Sequence, residues 1–106
     1  DGKNVFFVTK EGYFVILNNE NGKIIYSTNI LTNLKKKKRN TEVTGFIMGS
    51  GKIYSVTLNG YIIVNSASTG KFESFKKIGS RITSSPIISN GSLYILTEDS
   101  KIFGFN

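Results

Sequence analysis

The chain has 106 residues, 39% of them hydrophobic, with 14 Lys and Arg against 7 Asp and Glu, for a net charge of +7. It holds no Cys and no His, which excludes disulfides, thiolate nucleophiles, zinc sites built on those ligands and every His-dependent triad. The apolar content suits one modest core and is too high for a disordered tail, and no apolar run approaches the ~20 residues of a membrane helix.

Residues 5–9 are apolar on both faces, Val5 and Phe7 on one and Phe6 and Val8 on the other, as in a strand covered on both sides. A turn at Lys10-Glu11-Gly12 leads to a second such strand over residues 13–17. A dense turn cluster ending at Gly22 leads to a third over residues 24–28. A strand is next expected at Phe46-Ile47-Met48, followed by a Gly49-Ser50-Gly51 turn, a strand over 53–57, a turn at Gly60, a strand over 61–65, a turn at Gly70 and a strand over 72–77. Ile87-Ile88, the Asn90-Gly91 turn, a strand over 93–97, a turn at Glu98-Asp99-Ser100 and a strand over 102–105 complete the series. No stretch carries a helical period.

The series is a repeat. Thr9-Lys10-Glu11-Gly12-Tyr13 returns 48 residues later as Thr57-Leu58-Asn59-Gly60-Tyr61, and Asn21-Gly22-Lys23 returns as Thr69-Gly70-Lys71. A third copy follows at an offset of 40, where Ile53-Tyr54 becomes Leu93-Tyr94 and Thr57 becomes Thr97. Labelled A to D, the strands number three (B, C, D), four (A to D) and three (A, B, C). Short turns force sequential strands to pair antiparallel. Strands apolar on both faces require each sheet to lie between two others, and four-stranded sheets stacked around an axis form a β-propeller. The expected fold is therefore all-β: about two and a half blades of a propeller of 4–8 blades. Residues 1–30 form a partial blade, 31–45 a basic inter-blade loop, 46–78 a full blade and 79–106 a second partial blade. Gly12, Gly22, Gly60, Gly70 and Gly91 are expected as turn glycines, and Tyr13, Tyr54, Tyr61 and Tyr94 as packing residues between blades.

The stretch Ser84-Ser85-Pro86-Ile87-Ile88-Ser89-Asn90-Gly91-Ser92-Leu93-Tyr94-Ile95-Leu96-Thr97-Glu98-Asp99-Ser100-Lys101-Ile102-Phe103-Gly104-Phe105-Asn106 resembles the repeat of quinoprotein-like (PQQ-like) propellers. Leu17-Asn18-Asn19-Glu20-Asn21-Gly22-Lys23 and Val64-Asn65-Ser66-Ala67-Ser68-Thr69-Gly70-Lys71 extend that resemblance through the other copies. Two branches of the superfamily are similar. Quinoprotein dehydrogenases bind pyrroloquinoline quinone with calcium and close their repeat on a docking Trp; the matching positions here are Tyr26 and Ser74, and Glu98-Asp99 is the sole carboxylate pair. The family of the outer-membrane-protein assembly lipoprotein BamB carries the repeat without cofactor, and its last blade stops at strand C, as the third copy does here. That second resemblance implies a non-catalytic scaffold for protein–protein interaction, not an enzyme and without cofactor. It also implies a periplasmic place at the outer membrane, as a lipoprotein when a segment precedes Asp1.

Lys35, Lys36, Lys37, Lys38 and Arg39 supply five of the fourteen basic residues. The run lies in a D–A connection longer than the one that follows Gly70, so it is an insertion into the repeat. In an up-and-down blade the B–C and D–A connections emerge at one end, which places the run with the turns at Gly12, Gly60 and Ser100 and with Arg81 of the next D–A loop. A solvated mobile loop is the plain expectation. The functional one is contact with an acidic protein partner or an anionic membrane surface. Nucleic acid is disfavoured because no aromatic residue lies within the run to stack on bases. Exposed blade faces and edge strands favour self-association or contact with further blades.

Overall fold

The structure is a computed structural model and describes residues 4–105. Its strands form three antiparallel sheets. The first is β1 (Asn4–Val8), β2 (Tyr13–Asn18) and β3 (Ile24–Asn29); the second is β4 (Val43–Gly49), β5 (Lys52–Thr57), β6 (Tyr61–Ser66) and β7 (Phe72–Lys77). The third is β8 (Ile87–Ser89), β9 (Ser92–Leu96) and β10 (Ile102–Phe105). Within each sheet neighbours in sequence are neighbours in space, so the expected count of three, four and three holds.

The middle sheet is covered on both faces. Phe14, Ile16 and Val8 of the first sheet meet Ile53, Tyr61 and Ile63, with Ile30, Leu31, Leu34 and Val43 sealing the cluster. On the opposite face Val56 and Ile62 meet Leu93, Ile95 and Ile82. This explains why residues 61–64 show no polar alternation: a strand buried on both sides has no wet face. Each such side chain contributes roughly 1.5–3 kcal/mol through removal from water. The outward faces of the flanking sheets stay apolar and open, with Val5 on one side and Ile87, Leu96 and Ile102 on the other.

The recurring Thr-x-x-Gly phrase has one physical basis. The hydroxyl of Thr9 accepts the Tyr13 amide at 3.0 Å, that of Thr57 accepts the Tyr61 amide at 3.0 Å, and that of Thr97 accepts the Lys101 amide at 3.1 Å. Each threonine thus satisfies the first donor of strand C from inside the B–C turn. Thr57 also donates to Asn59 Oδ1 at 2.5 Å, and Thr97 donates to the Asp99 carboxylate. Gly12, Gly22, Gly60, Gly70 and Gly91 all have φ between 70° and 97°. Gly70 has a second reason to lack a side chain, because a Cβ there would run into the Tyr26 ring of the preceding sheet. Of the two positions that the resemblance matches to a docking Trp, Tyr26 seats an aromatic ring on the next sheet's turn, whereas Ser74 carries no ring.

The C–D ladders carry a repeated irregularity. Register shifts occur between Ile16 and Leu17 opposite β3, and between Val64 and Asn65 opposite β7. The extra residues, Ile25 and Glu73, stand at the same 48-residue offset. Period-two reading misses such a bulge, which turns later side chains to the other face. As a result Phe72, Phe75 and Lys77 share the side of Ile63 and Tyr61.

Two expectations are corrected. Strand β4 begins at Val43, inside the segment assigned to the loop, because the Val43 amide bonds the Lys10 carbonyl and Gly45 lies against Ser85 too closely for any side chain. Tyr54 and Tyr61 pack between sheets, but Tyr13 and Tyr94 are exposed because they stand on the outward faces of the flanking sheets.

Candidate functional site: a lysine-lined groove

The B–C turns and D–A connections do emerge together. Backbone bonds join Leu58 to Glu42 (2.9 Å), Ile30 to Gly12 (2.8 Å), Ile78 to Gly60 (2.7 Å) and Glu98 to Arg81 (2.7 Å). At this end the basic segment is folded onto the protein. Ile30, Leu31 and Leu34 are buried anchors, the first two within a 3₁₀ turn, Ile30–Asn33, that is capped by the Asn29 side chain accepting the Leu31 amide at 3.0 Å. A second 3₁₀ turn, Lys36–Lys38, follows and is closed by Lys38 donating to the Lys35 carbonyl at 2.7 Å.

The guanidinium of Arg39 holds this shape. Its Nε donates to the Leu34 carbonyl and its Nη2 to the Thr32 carbonyl, both at 3.0 Å. Asn59 ties the segment to the next B–C turn: its Nδ2 donates to the Lys38 carbonyl at 3.0 Å and its amide to Thr41 Oγ1 at 3.2 Å. The basic segment, solvated as expected, thus carries its exposed lysine side chains on a backbone folded into two hydrogen-bonded 3₁₀ turns.

The fold brings Lys35, Lys37 and Lys38 to Lys77, Tyr61 and Phe75, where they line a groove of about 400 Å³. The six basic residues singled out from the sequence thus divide. Three line the groove, Lys36 is exposed outside it, Arg39 is engaged with backbone, and Arg81 pairs with Glu98 at 2.7 Å beside a separate shallow pocket. Tyr61, Phe75 and Lys77 were not readable as site residues. They lie more than twenty residues along the chain, and the bulge at Glu73 sets which side Phe75 and Lys77 occupy. Tyr61 is buried, and its ring meets that of Phe75 edge-on, centroids 5.9 Å apart at 64°; Phe75 is 44% exposed.

At the third B–C turn, Asp99 is held below the ordinary aspartate range chiefly by the Thr97 hydroxyl it accepts, with Lys101 adding attraction against a desolvation cost. A depressed carboxyl pKa contributes stability above its unfolded value, and that contribution is lost as pH falls through the folded value. A carboxyl-resolved NMR titration is expected to place the Asp99 midpoint below ~3.9 in the wild type, and Thr97→Val is expected to move it up. An unchanged midpoint in Thr97→Val would refute the assigned cause. No group of three or more Asp and Glu side chains placed to hold a metal ion occurs among the described residues.

No protein-family model and no curated sequence matches the chain. Solved structures do. BamB from Moraxella catarrhalis superposes with a TM-score of 0.75 at 15% identity, over 98% of this chain and 30% of that one. A europium-containing methanol dehydrogenase superposes at 0.71 with 16% identity, over 100% of this chain and 21% of that one. The β-propeller domain of Cps50 (Swd1) from Myceliophteria thermophila superposes at 0.58 with 10% identity, over 97% of this chain and 48% of that one. The chain is an arc of a β-propeller. Its three sheets are blades, and the arc spans under a third of the BamB structure it matches. Identities this low carry the propeller fold alone.

Proposed function

We propose that the arc belongs to a non-catalytic propeller scaffold for protein–protein interaction, of the kind that supports outer-membrane β-barrel assembly. The placement that goes with this is the periplasm, held at the outer membrane as a lipoprotein. The observation that carries the reading is the groove. Four lysine side chains and an exposed aromatic ring converge where the connection between the first two blades meets the edge strand β7, which is the make-up of a binding face. The lack of any His or Cys narrows the chemistry open to these residues.

A quinoprotein dehydrogenase is the second reading, favoured by the match to the europium-containing methanol dehydrogenase. Gentle isolation of the whole protein from membranes separates the two. The scaffold reading expects β-barrel assembly proteins to co-isolate, with no dye-reducing activity after addition of pyrroloquinoline quinone and a metal. A bound chromophore with that activity would overturn it.

A further inference from the structure

We propose that the lysine groove takes an acidic, extended peptide segment of a partner protein, its carboxylates on Lys35, Lys37, Lys38 and Lys77 and an apolar side chain against Phe75. This rests on the protein-scaffold reading and names the chemistry of the partner.

The first argument is charge. Elsewhere in the described residues four basic side chains have acidic partners: Lys10 with Glu42 at 4.0 Å, Lys52 with Glu73 at 2.8 Å, Arg81 with Glu98 at 2.7 Å and Lys101 with Asp99 at 3.7 Å. The other described basic residues without an ion pair, Lys23, Lys36, Arg39, Lys71 and Lys76, do not line this groove, so the groove is where unpaired lysines gather around one concavity. No carboxylate lines the groove, and none of its four lysines forms an ion pair among the described residues. Like charges gathered around one concavity repel, and an occupant of opposite charge relieves that repulsion.

The second argument is shape. The lysines surround a concave groove rather than project from a flat face, which suits a segment entering the groove better than a lipid surface. Tyr61 is buried and meets Phe75 edge-on, while Phe72 and Phe75 are tilted by 35° with centroids 6.3 Å apart. These rings do not form a parallel platform for successive bases, and Phe75 is the exposed ring that the groove offers to an apolar side chain. The third argument is position. Phe75 and Lys77 sit on β7, the terminal strand of its sheet, whose outer backbone edge is available to pair with an extended chain.

The test titrates the purified whole protein with a fluorescent peptide of Glu residues around a central Phe, beside its Gln counterpart, an oligothymidylate and phosphatidylglycerol vesicles. The Glu peptide is expected to bind, to weaken as salt rises, and to lose about tenfold or more in affinity in the combined K35Q, K37Q, K38Q and K77Q variant. Phe75→Ser is expected to weaken the Glu peptide at a temperature where circular dichroism shows the variant still folded. Equal binding of the Gln peptide, or full binding by the four-lysine variant, would overturn the proposal. Tighter, lysine-dependent binding of the oligonucleotide or the vesicles would overturn it as well. Peptide affinity is read on the purified protein. Its failure is therefore distinct from a failure to find assembly proteins at the membrane.

Discussion

Gly60→Ala is expected to destabilise the protein by about 3 kcal/mol or more, against about 1 kcal/mol for Gly22→Ala. Both glycines have positive φ, 89° and 70°, so both substitutions incur the cost of a left-handed alanine. Only Gly60 is also in close contact. A Cβ there would lie 2.5 Å from the Ser80 carbonyl oxygen and 3.1 Å from the Ser80 nitrogen, while at Gly22 nothing stands within 4 Å. Backbone cannot rotate aside as a side chain can, so the connection between the second and third blades must shift. Gly60 also accepts the Ile78 amide at 2.7 Å, and that bond is strained by the same shift. Denaturant unfolding of the two variants checks this, and equal losses would show that φ alone sets the cost.

Phe14→Ala should cost about 3–5 kcal/mol. Phe14 is fully buried at the centre of the interface between the first and second blades, 6.5 Å from Phe6 with rings inclined by 19°. Its loss leaves a cavity bounded by two sheets whose backbones are each fixed by their own ladders, so the surroundings cannot collapse into it. Ile102→Ala offers the contrast. Ile102 is 71% exposed on the outward face of the third blade within this arc. Substitution there removes little packing among the described residues, and its cost in the whole protein reads directly how far a further blade covers that face.

Much of the fold was legible because the repeat encodes backbone requirements that few residues meet. A threonine that bonds the amide entering strand C recurs at all three reversals between strands B and C, and the residue that turns with positive φ is Gly12, Gly60 and, in the third, Ser100. Strand apolarity on both faces then required stacking. What escaped was set by contacts distant in sequence. Val43 to Gly45 read as polar loop, and they become strand through the Lys10 carbonyl and the close seat on Ser85. The bulges at Ile25 and Glu73 leave no mark in a period-two pattern.

The site was half legible. The basic run announces its charge, and the repeat comparison isolates it as an insertion. The absence of an aromatic residue within residues 35–39 pointed away from base stacking and gave no sign of the two rings, Tyr61 and Phe75, that the next blade supplies. The sequence also treats five basic residues alike, whereas Arg39 is engaged with two carbonyls that fix the segment. Charge is a property of residues, but the division of labour among them depends on where the backbone carbonyls lie.

Isolation of the whole protein from membranes with and without the K35Q, K37Q, K38Q and K77Q substitutions tests the central claim most directly. The account predicts a co-isolating protein partner with an acidic segment, lost from the four-lysine variant at unchanged melting temperature. A variant that retains the same partners as the wild type would contradict it.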